Sequence, residues 1–366
     1  MALTKKEIQK LDASQKAKAL REACAWGEYE QVSLLLKLGA DAQAQATSAE
    51  RAHPESSGSQ SSAFKQIEKG DTALNAAARG GFLDAVKILV SSIGSPASQK
   101  EAAMRVSGTH GAQTPAMAAA SSSNPEAQDV LVWLMELEPA CAVKSATAQG
   151  PAWSAAQSGN GRGLARVAIF LEQERGIQAA TQCFDEPDIL GRTLLHWALA
   201  SGSSEACQVA IERSGPHAFE QIDVRGCNVW LCAAKSGSWE PFDLLLAHAK
   251  KMKNPRWSQS EALMSLDALG FSALSAAAQA GSLAGCIGAW TAVSVLMEPA
   301  QKAEELDRAI VSALRAGRKK VAQWLGERKA GAKDEMPPLW ATKSAREVLK
   351  GLDPQKGEPL PRRGRG

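Results

Sequence analysis

The chain is poor in the residues that usually announce chemistry. Its five histidines are scattered, with no partner at a spacing suited to metal binding or proton transfer. The phosphate-cradling G-x-x-x-x-G-K-[ST], the nucleophile elbow G-x-S-x-G and the zinc motif H-E-x-x-H are all missing. A non-catalytic protein with no cofactor and no metal is therefore expected. Seven cysteines make an odd number with no C-x-x-C pair, so neither a disulfide framework nor a thiolate metal site is anticipated. No apolar run approaches the roughly 20 residues that cross a bilayer, and no basic-then-apolar leader opens the chain. The expectation is a soluble cytoplasmic protein without membrane contact, with the nucleus as an alternative location and a monomer as the default state. Tyrosine is reduced to one residue, against ten tryptophans.

What is abundant is a repeated phrase: a small-residue block, a glycine, then a run with helical apolar spacing. It reads Thr72-Ala73-Leu74-Asn75-Ala76-Ala77-Ala78-Arg79-Gly80-Gly81 before Phe82 to Val90, and recurs at Thr193 to Gly202, Trp230 to Gly237 and Leu274 to Gly281. Weaker copies surround Thr114, Pro151 and Ile310. A threonine at the start caps free backbone N–H groups. The alanines allow close helix approach, and the glycine supplies a left-handed helix end. In the following run, sets such as Val32, Leu35, Leu36 and Phe242, Leu245, Leu246 mark one buried face. Each copy exposes an apolar face that it cannot bury alone, which predicts stacking.

The phrase resembles the ankyrin repeat, with its T-P-L-H-x-A signature, glycine and second helix. That resemblance implies an all-α, ankyrin-like helical solenoid of about eight helix-turn-helix units, with pivots at Gly27, Gly81, Ser123, Gly159, Gly202, Gly237, Gly281 and Gly317. From Gly81 onward the pivots are 42, 36, 43, 35, 44 and 36 residues apart. This alternation predicts two-repeat units with added short helices in the long connections. Ala63 to Glu68 returning as Ala218 to Asp223, and Ser98 to Met104 as Ser258 to Met264, fit such a duplication; chance similarity of Ala/Gln/Ser-rich linkers is the competing reading. The division expected is an N-terminal segment over 1–15, a solenoid over 16–330 with a flexible insertion at 43–62, and a capping helix with a basic flexible tail over 331–366.

The tryptophans sort by position. Trp197 and Trp230 in first helices and Trp133, Trp290 and Trp324 in second helices are expected in the core, Trp239 between repeats, and Trp153 partly open. Trp257 has no assigned place. His196 completes Thr-x-Leu-His, so the resemblance gives it a stacking role instead of a catalytic one.

For function, the resemblance implies a scaffold or adaptor that holds a partner protein on its concave face. The family's contact positions, before the pivot and before the cap, fall here on Trp26, Arg79, Gln157, Ser158, Lys235, Ser236 and Gln279, with Arg192 and Arg225 in the turns. The alternative is nucleic-acid or acidic-surface binding by the basic C-terminal end. Residues 315–366 carry 14 Lys/Arg against 6 Asp/Glu and close on Arg362, Arg363 and Arg365. A solvated tail is the simpler account of those charges.

Overall fold

The computed structural model describes residues 3–52, 65–67, 69–106, 113–143, 150–252, 256–258, 260–329, 352–353 and 358–359. The chain divides into two compact units, 1–180 and 181–366.

In the first unit, α1 (Lys5–Lys10) precedes the pair α2 (Ala13–Trp26) and α3 (Tyr29–Lys37). Strands β1 (Glu50–Ala52) and β2 (Lys65–Ile67) form a small antiparallel ladder. Three further pairs follow: α4 (Ala73–Gly80) with α5 (Leu83–Ser92), α7 (Pro115–Ala120) with α8 (Ala127–Leu137), and α9 (Pro151–Ser158) with α10 (Gly161–Arg175); α6 (Pro96–Met104) lies in the first connection between them. In the second unit the pairs are α12 (Leu194–Ser201) with α13 (Ser204–Arg213), α15 (Val229–Lys235) with α16 (Glu240–Lys251), α18 (Ala273–Ala280) with α19 (Leu283–Leu296), and α20 (Pro299–Arg315) with α21 (Lys319–Lys329). Helix α11 (Ile177–Asp185) contains the division, and α14 (Pro216–Glu220) and α17 (Ser260–Met264) fill connections. A two-residue pairing, β3 (Leu352–Asp353) with β4 (Glu358–Pro359), follows.

Among the described residues, eight helix pairs, each turning on its pivot, give an all-helical repeat architecture of the ankyrin type, apart from two short ladders. Seven pivot glycines have φ between 71° and 82°, a left-handed turn that a Cβ would strain. At Gly81 the neighbouring repeat also comes close, since an added Cβ would lie 2.7 Å from the Ala127 backbone nitrogen. Thr72 and Thr114 cap their helices through the side-chain oxygen, as the sequence suggests, and Ser272 does the same.

Adjacent pairs are tied by side chains donating to the ends of the preceding first helix. Asn124 Nδ2 donates to the Gly80 carbonyl (2.6 Å), Asn160 Nδ2 to those of Ala120 and Ser122 (both 2.7 Å), and Ser282 Oγ to that of Gly237 (2.5 Å).

The long connections carry added helices, α6, α11 and α17. Short connections carry one turn too, at Pro139–Ala142 and α14, so alternation reflects connector length and not simply presence or absence. Residues 43–52, the first part of the expected insertion 43–62, pack against the neighbouring repeats. Ala46 is buried and exchanges backbone hydrogen bonds with Asp71 and Gly70, while Glu50 is drawn in by the buried guanidinium of Arg21. Residues 53–62 lie outside the described residues, as do 331–351 at the start of the expected capping helix and tail, and the arginines at 362, 363 and 365. The first repeat helix begins at Ala13, inside the segment assigned to the N-terminus, and α1 buries Ile8.

The tryptophan assignments need correction. Trp153 is buried at 3 % exposure, because its replacement of histidine in a close-packed first helix leaves the ring nowhere else to go. Trp197 is only half-buried, with the Arg192 guanidinium 4.0 Å over its ring, and Trp133, Trp290 and Trp324 are also half-buried. These large rings lie at the margins of alanine-rich interfaces that have no room for them. Trp230 is fully buried as expected, and Trp257 joins it, accepting the indole N–H of Trp230 at its carbonyl (2.8 Å).

Candidate partner-binding face

Three successive turns in the second unit share one construction: Asp188-Ile189-Leu190-Gly191-Arg192, Asp223-Val224-Arg225-Gly226-Cys227 and Asp267-Ala268-Leu269-Gly270-Phe271. In each, one carboxylate oxygen accepts backbone N–H groups two and four residues later. The distances are 2.8 and 2.9 Å at Asp188, 2.9 and 2.8 Å at Asp223, and 3.0 Å twice at Asp267. The three aspartates are buried, and the glycines provide the left-handed residue that closes each turn. Neighbouring turns are bonded by Val224 N–H to the Leu190 carbonyl (2.9 Å) and Ala268 N–H to the Arg225 carbonyl (2.7 Å).

With the aspartates turned inward, the residues between Asp and Gly point outward. Ile189 is 94 % exposed, Val224 66 % and Leu269 80 %. Sequence reasoning missed this row. Its signal was available in the recurring Asp-x-x-Gly, which makes the intervening positions turn tips.

The turn carboxylates also hold cations. Arg192 pairs with Asp188 at 2.8 Å, Lys235 with Asp267 at 3.4 Å, and in the first unit Arg79 with Asp71 at 2.7 Å. Lys235 Nζ also donates to Cys227 Sγ at 2.7 Å. Burial works to raise the Asp188 carboxyl, but the Arg192 N–H and guanidinium and the Leu190 N–H outweigh it and hold the group below its usual range. Burial pushes His196 down, against the opposing influence of Asp223 and the Gln221 and Cys227 backbone. Its Nδ1 lies 2.8 Å from Thr193 Oγ1 and 3.2 Å from the Thr193 nitrogen, a helix-capping contact and not a proton relay.

The residues expected to bind a partner therefore differ in freedom. Arg79, Arg192 and Lys235 are committed to ion pairs while remaining partly open. Ser158 and Ser236 donate to the Ala155 and Ala233 carbonyls within their own helices, and Trp26 is half-buried. Gln157, Arg225 and Gln279 are exposed, and their side chains are not engaged by the described residues.

At the last pair, α20 starts 18 residues before its glycine, whereas α4, α9, α12, α15 and α18 start 8 residues before theirs. A helical extension thus replaces the turn. It buries Glu305, which accepts from Ser272 Oγ and from Arg308 (2.7 Å). Burial raises the Glu305 carboxyl above its ordinary value of 4.5 despite those donors and the Arg308 charge. A raised carboxyl binds its proton more tightly folded than unfolded. Its contribution to stability is present below pH 4.5 and lost as pH rises through the elevated folded value. Urea denaturation of wild type and Glu305→Gln across pH 4 to 7 is expected to show the wild type losing stability relative to the variant as pH rises. A constant difference would contradict the assignment.

Among the described residues no three His, Cys, Asp or Glu side chains converge as a metal site, and no helix is long and apolar enough to cross a membrane. None of the seven cysteines forms a disulfide; burial pushes Cys141, Cys207 and Cys286 up to about 12.

No family model and no curated protein matches this chain. Among solved structures, the human ASB11 ankyrin repeat domain is 18 % identical, with 76 % of this chain and 98 % of that one covered and a TM-score of 0.49. One chain from the structure of the Bd0816 predatory endopeptidase of Bdellovibrio bacteriovorus in complex with immunity protein Bd3460 is 21 % identical, over 63 % of this chain and 97 % of that one, with a TM-score of 0.41. The repeat class rests on the helix pairs and left-handed pivots themselves.

Proposed function

We propose that this chain is a protein-interaction scaffold whose contact face is made of its turns and the pre-pivot ends of its first helices. The observation that carries the reading is the outward apolar row Ile189, Val224 and Leu269, mounted on turns rigidified by buried aspartates. Exposed apolar side chains grouped on neighbouring turns mark interaction surfaces more often than isolated ones do. Around them, Arg192, Arg225, Lys235, Ser236 and Gln279 supply a polar rim suited to a wet protein interface. Trp26, Arg79, Gln157 and Ser158 take the matching positions in the first unit.

The test begins with affinity capture of a partner from the native cell, followed by calorimetry on the purified pair. A triple variant, Ile189→Ser, Val224→Ser and Arg225→Glu, is expected to bind at least about tenfold more weakly. Its thermal melt should be nearly unchanged, since all three side chains are exposed. Undiminished affinity would refute the face.

A further inference from the structure

The pivot turn between α20 and α21 differs in charge from the others. Counted from two residues before the glycine to three after it, the turns at Gly27, Gly81, Gly159, Gly202, Gly237 and Gly281 carry between −2 and +1. The turn at Gly317, Arg315-Ala316-Gly317-Arg318-Lys319-Lys320, carries +4. Where earlier pairs place Asn160, Ser203, Ser238 and Ser282 directly after the glycine, this one places Arg318.

All four cations are exposed, and the acidic groups of the pair lie at its other end. Along α20 the nearest carboxylate is Asp307, eight residues before Arg315, and along α21 it is Glu327, seven after Lys320. At 1.5 Å per residue these separations are about 12 and 10 Å, beyond the roughly 8 Å over which exposed charges act in physiological salt. Asp307 is in any case paired with Lys329, and Glu304 and Glu305 with Arg308. The preceding repeat cancels nothing, because residues 268–297, which hold α18 and α19, contain no Asp, Glu, Lys, Arg or His. Arg318 is held against that repeat: its Nε donates to the Gln279 carbonyl (3.4 Å), and a Cβ on Gly281 would lie 2.7 Å from its Cδ and Nε. Arg315, Arg318 and Lys319 have no carboxylate partner among the described residues.

Such a cluster selects a polyanion. A membrane surface suits it poorly, since Val321, Ala322 and Leu325 on the apolar side of α21 are buried, and within 314–320 Leu314 alone offers a large exposed apolar side chain. Trp324 lies one helical turn beyond Lys320, half-buried, with the Arg328 guanidinium 5.2 Å over its ring. Cations beside an aromatic ring are the combination that holds single strands by phosphate and base together. Positive charge also continues in the sequence beyond α21. Residues 330–366 hold 8 Lys/Arg against 5 Asp/Glu and include Arg362-Arg363-Gly364-Arg365-Gly366, similar in composition to RG-type segments that bind RNA. An acidic peptide would call for neither the ring nor the continuing charge.

We infer that the α20–α21 turn binds the backbone of a single-stranded nucleic acid, with Arg315, Arg318 and Lys319 on its phosphates. The site is separate from the apolar turn row, so its failure would leave the scaffold reading untouched.

Fluorescence anisotropy of a labelled uridine homopolymer of about 15 nucleotides, titrated with the full chain between about 50 and 200 mM salt, tests it. Log affinity should fall with log salt at a slope of about −2 or steeper, from at least three phosphates at roughly 0.7 each. Arg315→Gln with Lys319→Gln, which keeps the Arg318 contact, should weaken binding at least about tenfold and flatten the slope by about 1.4. The same loss should appear in a chain lacking 352–366. No binding, binding that ignores the double variant, or loss only on deleting 352–366 would overturn the site. Equal affinity for polyglutamate or for phosphatidylserine-rich vesicles, with the same dependence on Arg315 and Lys319, would overturn the nucleic-acid assignment. Both substituted side chains are exposed, and unchanged circular dichroism melts would exclude misfolding as the cause.

Discussion

Replacing Glu50 by alanine is expected to destabilise the protein by about 3–5 kcal/mol, measured by urea denaturation. Arg21 and Glu50 form a two-pronged pair at 2.6 and 3.1 Å, with side-chain exposures of 5 % and 8 %. Removing the carboxylate leaves a guanidinium buried beneath β1, with only the Ala44 carbonyl (3.2 Å) as an identified remaining acceptor. The cost comes from that stranded charge more than from the lost attraction. The double variant Arg21→Met with Glu50→Leu should recover most of the loss, because similar-sized apolar pairs often replace buried ion pairs without penalty. A loss below about 1 kcal/mol for Glu50→Ala would mean that 43–52 is not fastened to the first repeat.

Trp230→Ala is expected to cost a comparable 3–5 kcal/mol from the cavity alone. The ring is 0 % exposed and lies 6.1 Å from Phe242 and 5.9 Å from Trp257, centroid to centroid. Its indole N–H also satisfies the Trp257 carbonyl in the connection between α16 and α17. Trp230→Phe separates the contributions. It keeps most of the apolar volume but strands that carbonyl, and should cost about 1–3 kcal/mol. Chemical denaturation of the two variants would reveal the difference. If both cost the same, the hydrogen bond contributes nothing to holding the connector.

The legible parts of the fold were those fixed by backbone geometry. Gly81, Gly202 and Gly281 each occupy a left-handed helix end, a conformation glycine adopts readily, so their spacing located the helix pairs. Thr72 and Thr114 were equally readable because a cap acts within three residues of itself. Tryptophan positions were not. A ring's exposure depends on the width of the gap left by another repeat, and Trp153 and Trp197 occupy similar places in the phrase with opposite outcomes. Arg79 and Lys235 looked like free contact residues because their carboxylate partners, Asp71 and Asp267, lie 8 and 32 residues away.

Side chains bond adjacent pairs in both directions, as Asn75 to the Gln113 carbonyl (3.1 Å) and Asn228 to the Ala262 carbonyl (2.7 Å) show, but the bonds that complete the ends of first helices share one sense. Asn124, Asn160 and Ser282 belong to the later repeat, and the carbonyls of Gly80, Ala120 and Gly237 to the earlier one. A repeat thus has its helix end completed by residues that leave the ribosome after it. During synthesis each newly formed pair carries unsatisfied carbonyls until its successor emerges, so the order of translation is also the order in which the stack becomes locked. Truncation has the same polarity. Loss of a C-terminal pair strips the helix-end donors from the repeat before it and leaves those carbonyls to water.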